Sequence, residues 1–235
     1  MTTVTSFKNR AVSFFENKFT HTATVLAIRV WEPATFYEVD IHLPEITDMD
    51  KWQKVQHINI RVAPLTFRDY TPAGWDAETK TCTLYIDAGH DGIGANWVKT
   101  LQIGATITYL GISSAHQYLP ANKNAVFLGD QTAIGHFLAL AQLAGSAENI
   151  RGAIFLQETD HRHQFAEYLK KLPLTPLPFK YEIHNSLSAW VLKQSFTNET
   201  LFYLVGNSHL VNTLRSRLKQ LGFSNKQIMA QGFWH

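Results

Sequence analysis

Cysteine is almost absent from this 235-residue sequence, in which Cys82 is the only one. A single cysteine excludes a disulfide within the chain and any metal site built from several thiolates. Because Cys82 falls in an apolar pattern typical of a strand, we predict a buried structural thiol rather than a nucleophile. The chemistry of the protein must come from other residues.

Long apolar runs are also missing. No stretch approaches the roughly 18 apolar residues that a membrane span needs. The first ten residues lack the apolar core of a secretion signal. We therefore expect a cytoplasmic protein without membrane insertion, and we expect a monomer.

Charge is sparse and evenly spread. Charged residues make up 17% of the chain and the formal net charge is +2, against an average charged fraction of about a quarter. No Lys/Arg run of the kind that marks a nucleic-acid-binding arm is present, so we predict no nucleic-acid partner. The slight excess of positive charge fits a local cleft for an anionic ligand better.

Metal-ligand spacing is absent as well. The 11 histidines are scattered, and the neighbours His161 and His163 lack the i, i+4 spacing of a helical zinc motif. We predict no bound structural or catalytic metal.

Short alternating runs in the first half of the chain predict strands. They cover 24–31, 36–43, 55–62, a strand ending at Thr71, 81–88 and 105–110, with helices at 5–19 and 96–101. An antiparallel barrel is the simplest closure of six such strands, because closing a sheet removes its edges.

After Pro120 the pattern becomes alternating strands and helices. Strands are predicted at 125–129, 152–156, 179–183, 201–205 and 227–230, and helices at 134–143, 161–172, 186–193 and 208–221. This alternation indicates a parallel sheet covered by helices on both faces. The boundary between the two halves is predicted within 112–123.

The stretch from Arg68 to Pro72 is the most informative in the first half. In an extended strand Arg68 and Tyr70 share one face, which places a cation beside a flat aromatic ring. Pro72 favours an extended Thr71, whose hydroxyl then stands at the end of the strand. Such a set suits a ligand with a phosphate and a planar heterocycle, although a strand end with a surface arginine and a half-buried tyrosine would look the same.

Three further segments could contact a ligand. The glycine-bearing turn from His90 to Trp97 precedes a short helix, where free N–H groups form an anion site suited to a pyrophosphate. Gly129–Gly135 closes the first strand of the second half, at the end of a parallel strand where ligands bind, although Asp130 or Thr132 could simply cap the helix. Phe233 and Trp234 near the end of the chain could cover a planar ring or seal the core.

Taken in order, these motifs resemble those of the siderophore-interacting proteins, a branch of the ferredoxin-reductase-like flavoenzymes. The likeness runs from about Ala23 to His235. The matching segments are Arg68-x-Tyr70-Thr71-Pro72, His90 with the turn to Trp97, Gly129-Asp130-x-Thr132-Ala133, and Gly232-Phe233-Trp234. Ile93, Ala95 and Gln131 depart from the Pro, Ser and Glu of the family, and the loss of the serine hydroxyl predicts weaker cofactor binding.

The resemblance implies an FAD-binding antiparallel β-barrel over residues 1–118 and an NAD(P)-binding-like α/β domain over 119–235. Arg68 would pair with the FAD pyrophosphate, Tyr70 would stack on the isoalloxazine, and Thr71 would hydrogen-bond near its reactive nitrogen. The other implied cofactor-binding residues are Asp87, His90, Gly92, Gly94, Ala95, Asn96, Thr132 and Trp234.

The implied activity is reduction of a ferric siderophore to release Fe(II), with electrons from NAD(P)H or from reduced ferredoxin. The flavin would carry the electrons, so no side chain is assigned a catalytic role. Candidate cations for a substrate cleft are Lys51, Lys54, Arg61, Lys219 and Lys226, each of which could instead be an ordinary surface residue. Two alternatives stay open: a general NAD(P)H:acceptor flavin reductase, and a chelate- or nucleotide-binding protein without turnover.

Overall fold

The computed structural model describes residues 20–178 and 183–234, which form two sheets. The helix predicted over 5–19 lies outside the described residues. Within the described part of the chain, no helix combines the length and the apolar character needed to cross a membrane.

The first sheet has seven strands in the order β4-β3-β7-β1-β2-β6-β5, and its paired strands run antiparallel. Its strands are β1 His21–Trp31, β2 Phe36–His42, β3 Gln56–Ala63, β4 Thr66–Tyr70, β5 Ala73–Asp76, β6 Thr81–Asp87 and β7 Thr106–Ser114. Helix α1, Ile93–Lys99, follows β6.

Strict alternation explains why these segments form half-buried strands. In β3 the residues Gln56, Ile58, Ile60 and Val62 are buried while the residues between them stay partly exposed. Side chains on successive residues of a strand point to opposite faces, so one face of β3 is available for the core. The inward faces of β1, β2, β3, β6 and β7 join α1 in one apolar cluster, and this shared interior shows that the sheet is rolled into the predicted antiparallel barrel.

Strand β5 was not predicted. Its sequence, Ala73-Gly74-Trp75-Asp76, is short and contains a glycine with φ of +57°, features that weaken a strand signal. Its pairing with β6 forms one end of the sheet, so tertiary pairing rather than local propensity makes it a strand.

The second sheet has five parallel strands in the order β10-β9-β8-β11-β12. The strands are β8 Ala125–Asp130, β9 Ile150–Phe155, β10 Leu174–Leu177, β11 Leu201–Asn207 and β12 Ile228–Trp234. The helices are α2 Ile134–Ala144, α3 Thr159–Tyr168, α4 Ile183–Leu192 and α5 Ser208–Gln220. Every residue of β8 is buried, as expected for a strand covered on both faces.

The chain reverses direction across this sheet between β8 and β11. From β8 it proceeds outward to β9 and β10, then returns to place β11 on the other side of β8. The carboxyl ends of these two strands therefore form the topological switch point, where open α/β sheets bind their ligands.

One predicted strand is in the wrong place. The prediction put it at 179–183, but Ile183 begins α4 and the fourth strand along the chain is Leu174–Leu177; residues 179–182 lie outside the described residues. Pro176 weakens the strand signal of Leu174–Leu177, because proline lacks the N–H group that a sheet ladder uses. A proline is tolerated there because β10 is an edge strand, which has one side without a ladder partner.

The two sheets are joined by a shared apolar core. Trp31, Phe36 and Val55 from the first half pack in one cluster with Phe127 and Phe137 of the second. Polar contacts add to it: the Gln142 side chain of α2 accepts a hydrogen bond from Trp75 N at 3.1 Å and donates one to Trp75 O at 2.8 Å. The two halves of the chain therefore pack directly against each other, and residues of both halves line their junction.

Candidate functional site

A cavity of about 630 Å³ lies between the barrel and the α/β half. The predicted site residues that line it are Arg68, Tyr70, Thr71, Asp87, His90, Gly92, Gly94, Ala95, Thr132 and Trp234. It lies within the usual size range of small-molecule sites, roughly 300 to 1,000 Å³. The sequence motifs thus converge on one cavity, although they lie up to 166 residues apart in the chain (from 68 to 234).

Strand β4 supplies one wall. Arg68 is exposed, with Nη1 donating to the Phe67 carbonyl at 2.8 Å, so its remaining guanidinium N–H groups can reach a ligand. Tyr70 stacks on Trp97, with ring centroids 5.9 Å apart and an interplanar angle of 24°. Burial raises the pKa of the Tyr70 phenol, so the hydroxyl stays neutral and can donate a hydrogen bond.

The glycine-bearing turn and α1 supply the next wall. The helix begins at Ile93, after an extended Gly92 that gives no side-chain cap. This start is three residues earlier than the predicted start at Asn96. The cavity is lined here by Gly92, Ile93, Gly94 and Ala95. A Cβ on Gly94 would lie 2.7 Å from Tyr70 Oη, so only glycine lets the helix backbone approach this closely.

Asp87 and His90 frame the same turn. Asp87 ends β6, and its Oδ1 accepts a hydrogen bond from Gly89 N at 2.9 Å, which holds the carboxylate at the start of the turn. The His90 ring packs against Gly92, where a Cβ would lie 2.6 Å from its Cε1 atom. Both side chains line the cavity.

The α/β half supplies the opposite wall from three places. Thr132 lies in the turn after β8, Gly135 lies in the first turn of α2, and Phe233 and Trp234 end β12. The ring of Trp234 is 45% exposed, so it stands at the mouth of the cavity rather than in the core. Of the two interpretations of the terminal aromatics, this position favours the one in which they cover a ligand.

Sequence reasoning missed His57, a cavity residue that no local motif marks, and the buried polar residues behind it. His57 lines the cavity from β3, and its ring lies 6.2 Å from Phe233 and 6.0 Å from the fully buried His136. His136 faces Gln117 Oε1 at 2.7 Å. The only sequence signal for His57 was the alternation of side chains in β3. That alternation places His57 on the face away from the barrel interior, but it does not identify the residues that the ring contacts.

Six predicted contacts are not in the cavity. Asn96 does not line it, and its N–H donates to Gly92 O at 2.8 Å within the helix. Lys51 and Lys54 line a separate cavity of about 380 Å³ near Trp52.

The other three predicted cations also lie outside the cavity. Arg61 donates to Thr108 on the neighbouring strand. Lys219 is exposed in the last turn of α5, and Lys226 is exposed in the turn before β12. The charge of a side chain does not by itself show which surface the side chain faces.

The lining can bind two kinds of group at once. Arg68 and the uncapped start of α1 supply hydrogen-bond donors for an anion, while Tyr70, Phe233 and Trp234 supply flat apolar surface. Among the described residues, no cluster of three or more His, Cys, Asp or Glu side chains is suited to hold a metal ion.

No protein-family model and no curated protein matches the sequence, but solved structures do. A siderophore-interacting protein from Aeromonas hydrophila matches with 15% identity and a TM-score of 0.74, over 92% of this chain and 91% of that one. One from Acinetobacter baumannii matches with 16% identity and a TM-score of 0.72, over 92% and 90%.

A third structure matches over only part of a longer chain. A flavohaemoglobin from Malassezia yamatoensis, solved with bound FAD and heme, matches with 11% identity and a TM-score of 0.69, over 93% of this chain and 61% of that one. A ferredoxin reductase of carbazole 1,9a-dioxygenase and a cytochrome P450 reductase from Amycolatopsis match as well. At these identities the likeness establishes architecture, and the chain has the barrel-plus-α/β fold that siderophore-interacting proteins share with ferredoxin reductases.

Proposed function

We propose that this chain is a siderophore-interacting protein that binds FAD in the inter-sheet cavity and reduces ferric siderophores, releasing Fe(II). The observation that carries the proposal is the convergence on one cavity of Arg68, the Tyr70 ring and the glycine-bearing start of α1. The neighbour solved with FAD supports the choice of cofactor, and the two siderophore-interacting neighbours support the choice of substrate.

The residues that line the cavity suit both the pyrophosphate and the isoalloxazine of FAD. The pyrophosphate carries negative charge, which Arg68 can pair with in charge-assisted hydrogen bonds while Gly94 and Ala95 offer backbone N–H groups. The isoalloxazine is flat and can lie against Tyr70, whose ring is held by Trp97. Gly94 leaves open the space that a Cβ would fill beside Tyr70 Oη.

When bound, the flavin accepts electrons in pairs and releases them singly, which is the conversion that reduction of Fe(III) by a hydride donor requires. Hard oxygen ligands that bind Fe(III) tightly hold Fe(II) less strongly, so reduction frees the metal. Electrons would come from NAD(P)H or from reduced ferredoxin.

The protein's own residues position the ring and limit its exposure. Tyr70 supplies the stacking surface, and Thr71, which lines the cavity at the end of β4, supplies a hydroxyl for the ring edge. Trp234 at the cavity mouth shields the ring from solvent on the side of the α/β half. No side chain needs to transfer a proton to the iron chelate for this reaction.

One observation favours a second candidate, a general NAD(P)H:acceptor flavin reductase. Among the described residues that line the cavity, Arg68 is the only Lys or Arg, and it would be occupied by the pyrophosphate. With Arg68 paired to the pyrophosphate, no other Lys or Arg among the described lining residues remains to attract an anionic chelate. Steady-state rates with ferric siderophores against quinones and free flavins separate the two functions.

The decisive first experiment is an absorption spectrum of the purified chain, with and without added FAD. We expect a flavin spectrum, and a chain that stays colourless and gains no absorbance from FAD would contradict the proposal and favour a binding protein without turnover. Anaerobic reduction followed by a ferric siderophore and a ferrous trap then tests the activity.

Two substitutions test the assigned residues. Arg68→Ala should weaken FAD binding by about 10- to 100-fold, because a hydrogen bond to a charged group is worth about 1.5–3 kcal/mol. Arg61→Ala is the matched control, since Arg61 lies on the neighbouring strand and donates to Thr108 instead. Tyr70→Ala should also shift the flavin spectrum, and unchanged FAD content and spectrum in both variants would refute the site assignment.

A further inference from the structure

The carboxylate of Asp130 occupies the switch point of the parallel sheet. It ends β8 and is only 2% exposed. Its Oδ1 atom accepts hydrogen bonds from Thr132 N at 3.0 Å and from Thr132 Oγ1 at 2.5 Å. Its Oδ2 atom accepts one from Asn207 N at 2.7 Å. Two backbone N–H groups and one hydroxyl thus surround the two carboxyl oxygens of Asp130.

These donors come from both sides of the switch point. Thr132 belongs to the turn that leads from β8 into α2, and Asn207 is the residue that caps α5 after β11. Backbone N–H groups at such positions are the ones that hold the diphosphate of a dinucleotide in open α/β sheets. In this chain the Asp130 carboxylate accepts hydrogen bonds from the backbone N–H groups of Thr132 and Asn207.

The backbone around Asp130 leaves little room for a second anion. Gly206 has φ of +125°, and a Cβ there would lie 2.5 Å from Asp130 Oδ2, so the β11 backbone lies directly against the carboxylate. Burial raises the pKa of Asp130, with a further contribution from the charge of Asp87, while the three hydrogen bonds lower it. A phosphate beside this pair of acidic residues would meet like charge rather than a complementary one.

We propose that Asp130 is an internal substitute for phosphate, which occupies the diphosphate position of the α/β half and excludes a nucleotide diphosphate from it. Asp130 is in this sense a specificity-determining residue. One consequence rests on the proposed function: a nicotinamide donor would gain little from its diphosphate and adenosine, so reduced nicotinamide mononucleotide should reduce the flavin almost as well as NADPH.

The test follows the amide resonance of Asn207 by NMR during titration with inorganic pyrophosphate and with NADPH. Asn207, unlike Thr132, is not among the described residues that line the cavity in which Arg68 can bind an anion. In the native chain we expect the Asn207 amide not to shift. In Asp130→Gly, which frees the donors and leaves a space, we expect it to shift, with an affinity for pyrophosphate at this position about tenfold or more above that of the native chain. Asp130→Asn is the matched control, because it keeps the volume filled and should leave the Asn207 amide unshifted.

A shift of the Asn207 amide resonance in the native chain on addition of pyrophosphate or NADPH would overturn the proposal, because the carboxylate would then yield to the ligand. A folded Asp130→Gly variant whose Asn207 amide does not shift with pyrophosphate would also overturn it. If that variant does not fold, Asp130→Ser serves for the same titration, since its shorter side chain also vacates the position. These measurements need no flavin, so they decide the proposal even if the chain proves not to bind FAD.

Discussion

Replacing Gly94 by alanine perturbs the candidate site at one atom. The new Cβ would lie 2.7 Å from Tyr70 Oη and 3.7 Å from Arg68 Cγ. The first distance is too short, so the Tyr70 ring must move away from its place against Trp97. We expect FAD binding to weaken about two- to tenfold, because the flavin loses an aromatic contact worth about 0.5–1.5 kcal/mol.

The stability of the chain should change much less. Alanine is favoured over glycine in a helix by up to about 1 kcal/mol, and a displaced Tyr70 rotamer costs about 0.5–1.5 kcal/mol. These two contributions have opposite signs and similar size. The free energy of unfolding should therefore stay within about 1 kcal/mol of the native value while the affinity falls.

The assay combines FAD fluorescence titration with thermal unfolding of the flavin-free chain. Gly111→Ala is the matched control, because no heavy atom lies within 4 Å of the Cβ position there and Gly111 does not line the cavity. If Gly94→Ala binds FAD as tightly as the native chain, or if Gly111→Ala weakens binding equally, the reasoning that places the cofactor against Tyr70 is wrong.

Two further predictions concern stability. Burial, aided by the nearby His57, lowers the pKa of His136 to about 3, so below the unfolded value of about 6.5 the unfolded chain binds a proton that the folded chain does not. Its contribution to the unfolding free energy should fall by about 2 kcal/mol between pH 7 and pH 5, and His136→Gln should lose less on acidification in urea titrations. Gln142→Leu removes both hydrogen bonds to the Trp75 backbone and should lower the unfolding free energy by about 1–2 kcal/mol.

Exposed residues of the same type provide the controls. His163→Gln, at an exposed histidine, is the comparison variant for the first prediction, and Gln102→Leu, at an exposed glutamine, should have little effect on the unfolding free energy. Identical pH profiles for His136→Gln and the native chain would contradict the first prediction. A Gln142→Leu variant as stable as the Gln102→Leu variant would contradict the second.

Much of the candidate site was predictable because its residues cluster in short motifs. Arg68 and Tyr70 follow from the alternation of one strand, Thr71 from the proline that keeps it extended at the end of that strand, and Gly92 and Gly94 from one turn. Local geometry was therefore enough to identify them. The substrate cations were not predictable in this way. Lys51, for example, is typical of any surface, and only the packed chain shows that it faces a different cavity.

The sequence by itself determined most of the strands and helices, because the period of the apolar residues is a local property that each segment carries. The exceptions are β5 and β10, which are strands because of their pairing in the folded sheets. The sequence also determined the residue types available for a flavin. The order of the strands was decided only in the folded chain. The hydrogen bond from Asn207 to Asp130 spans 77 residues and exists because β11 returns to lie beside β8. Sheet order depends on which apolar faces pack best across the whole core, and no short stretch of sequence encodes that choice.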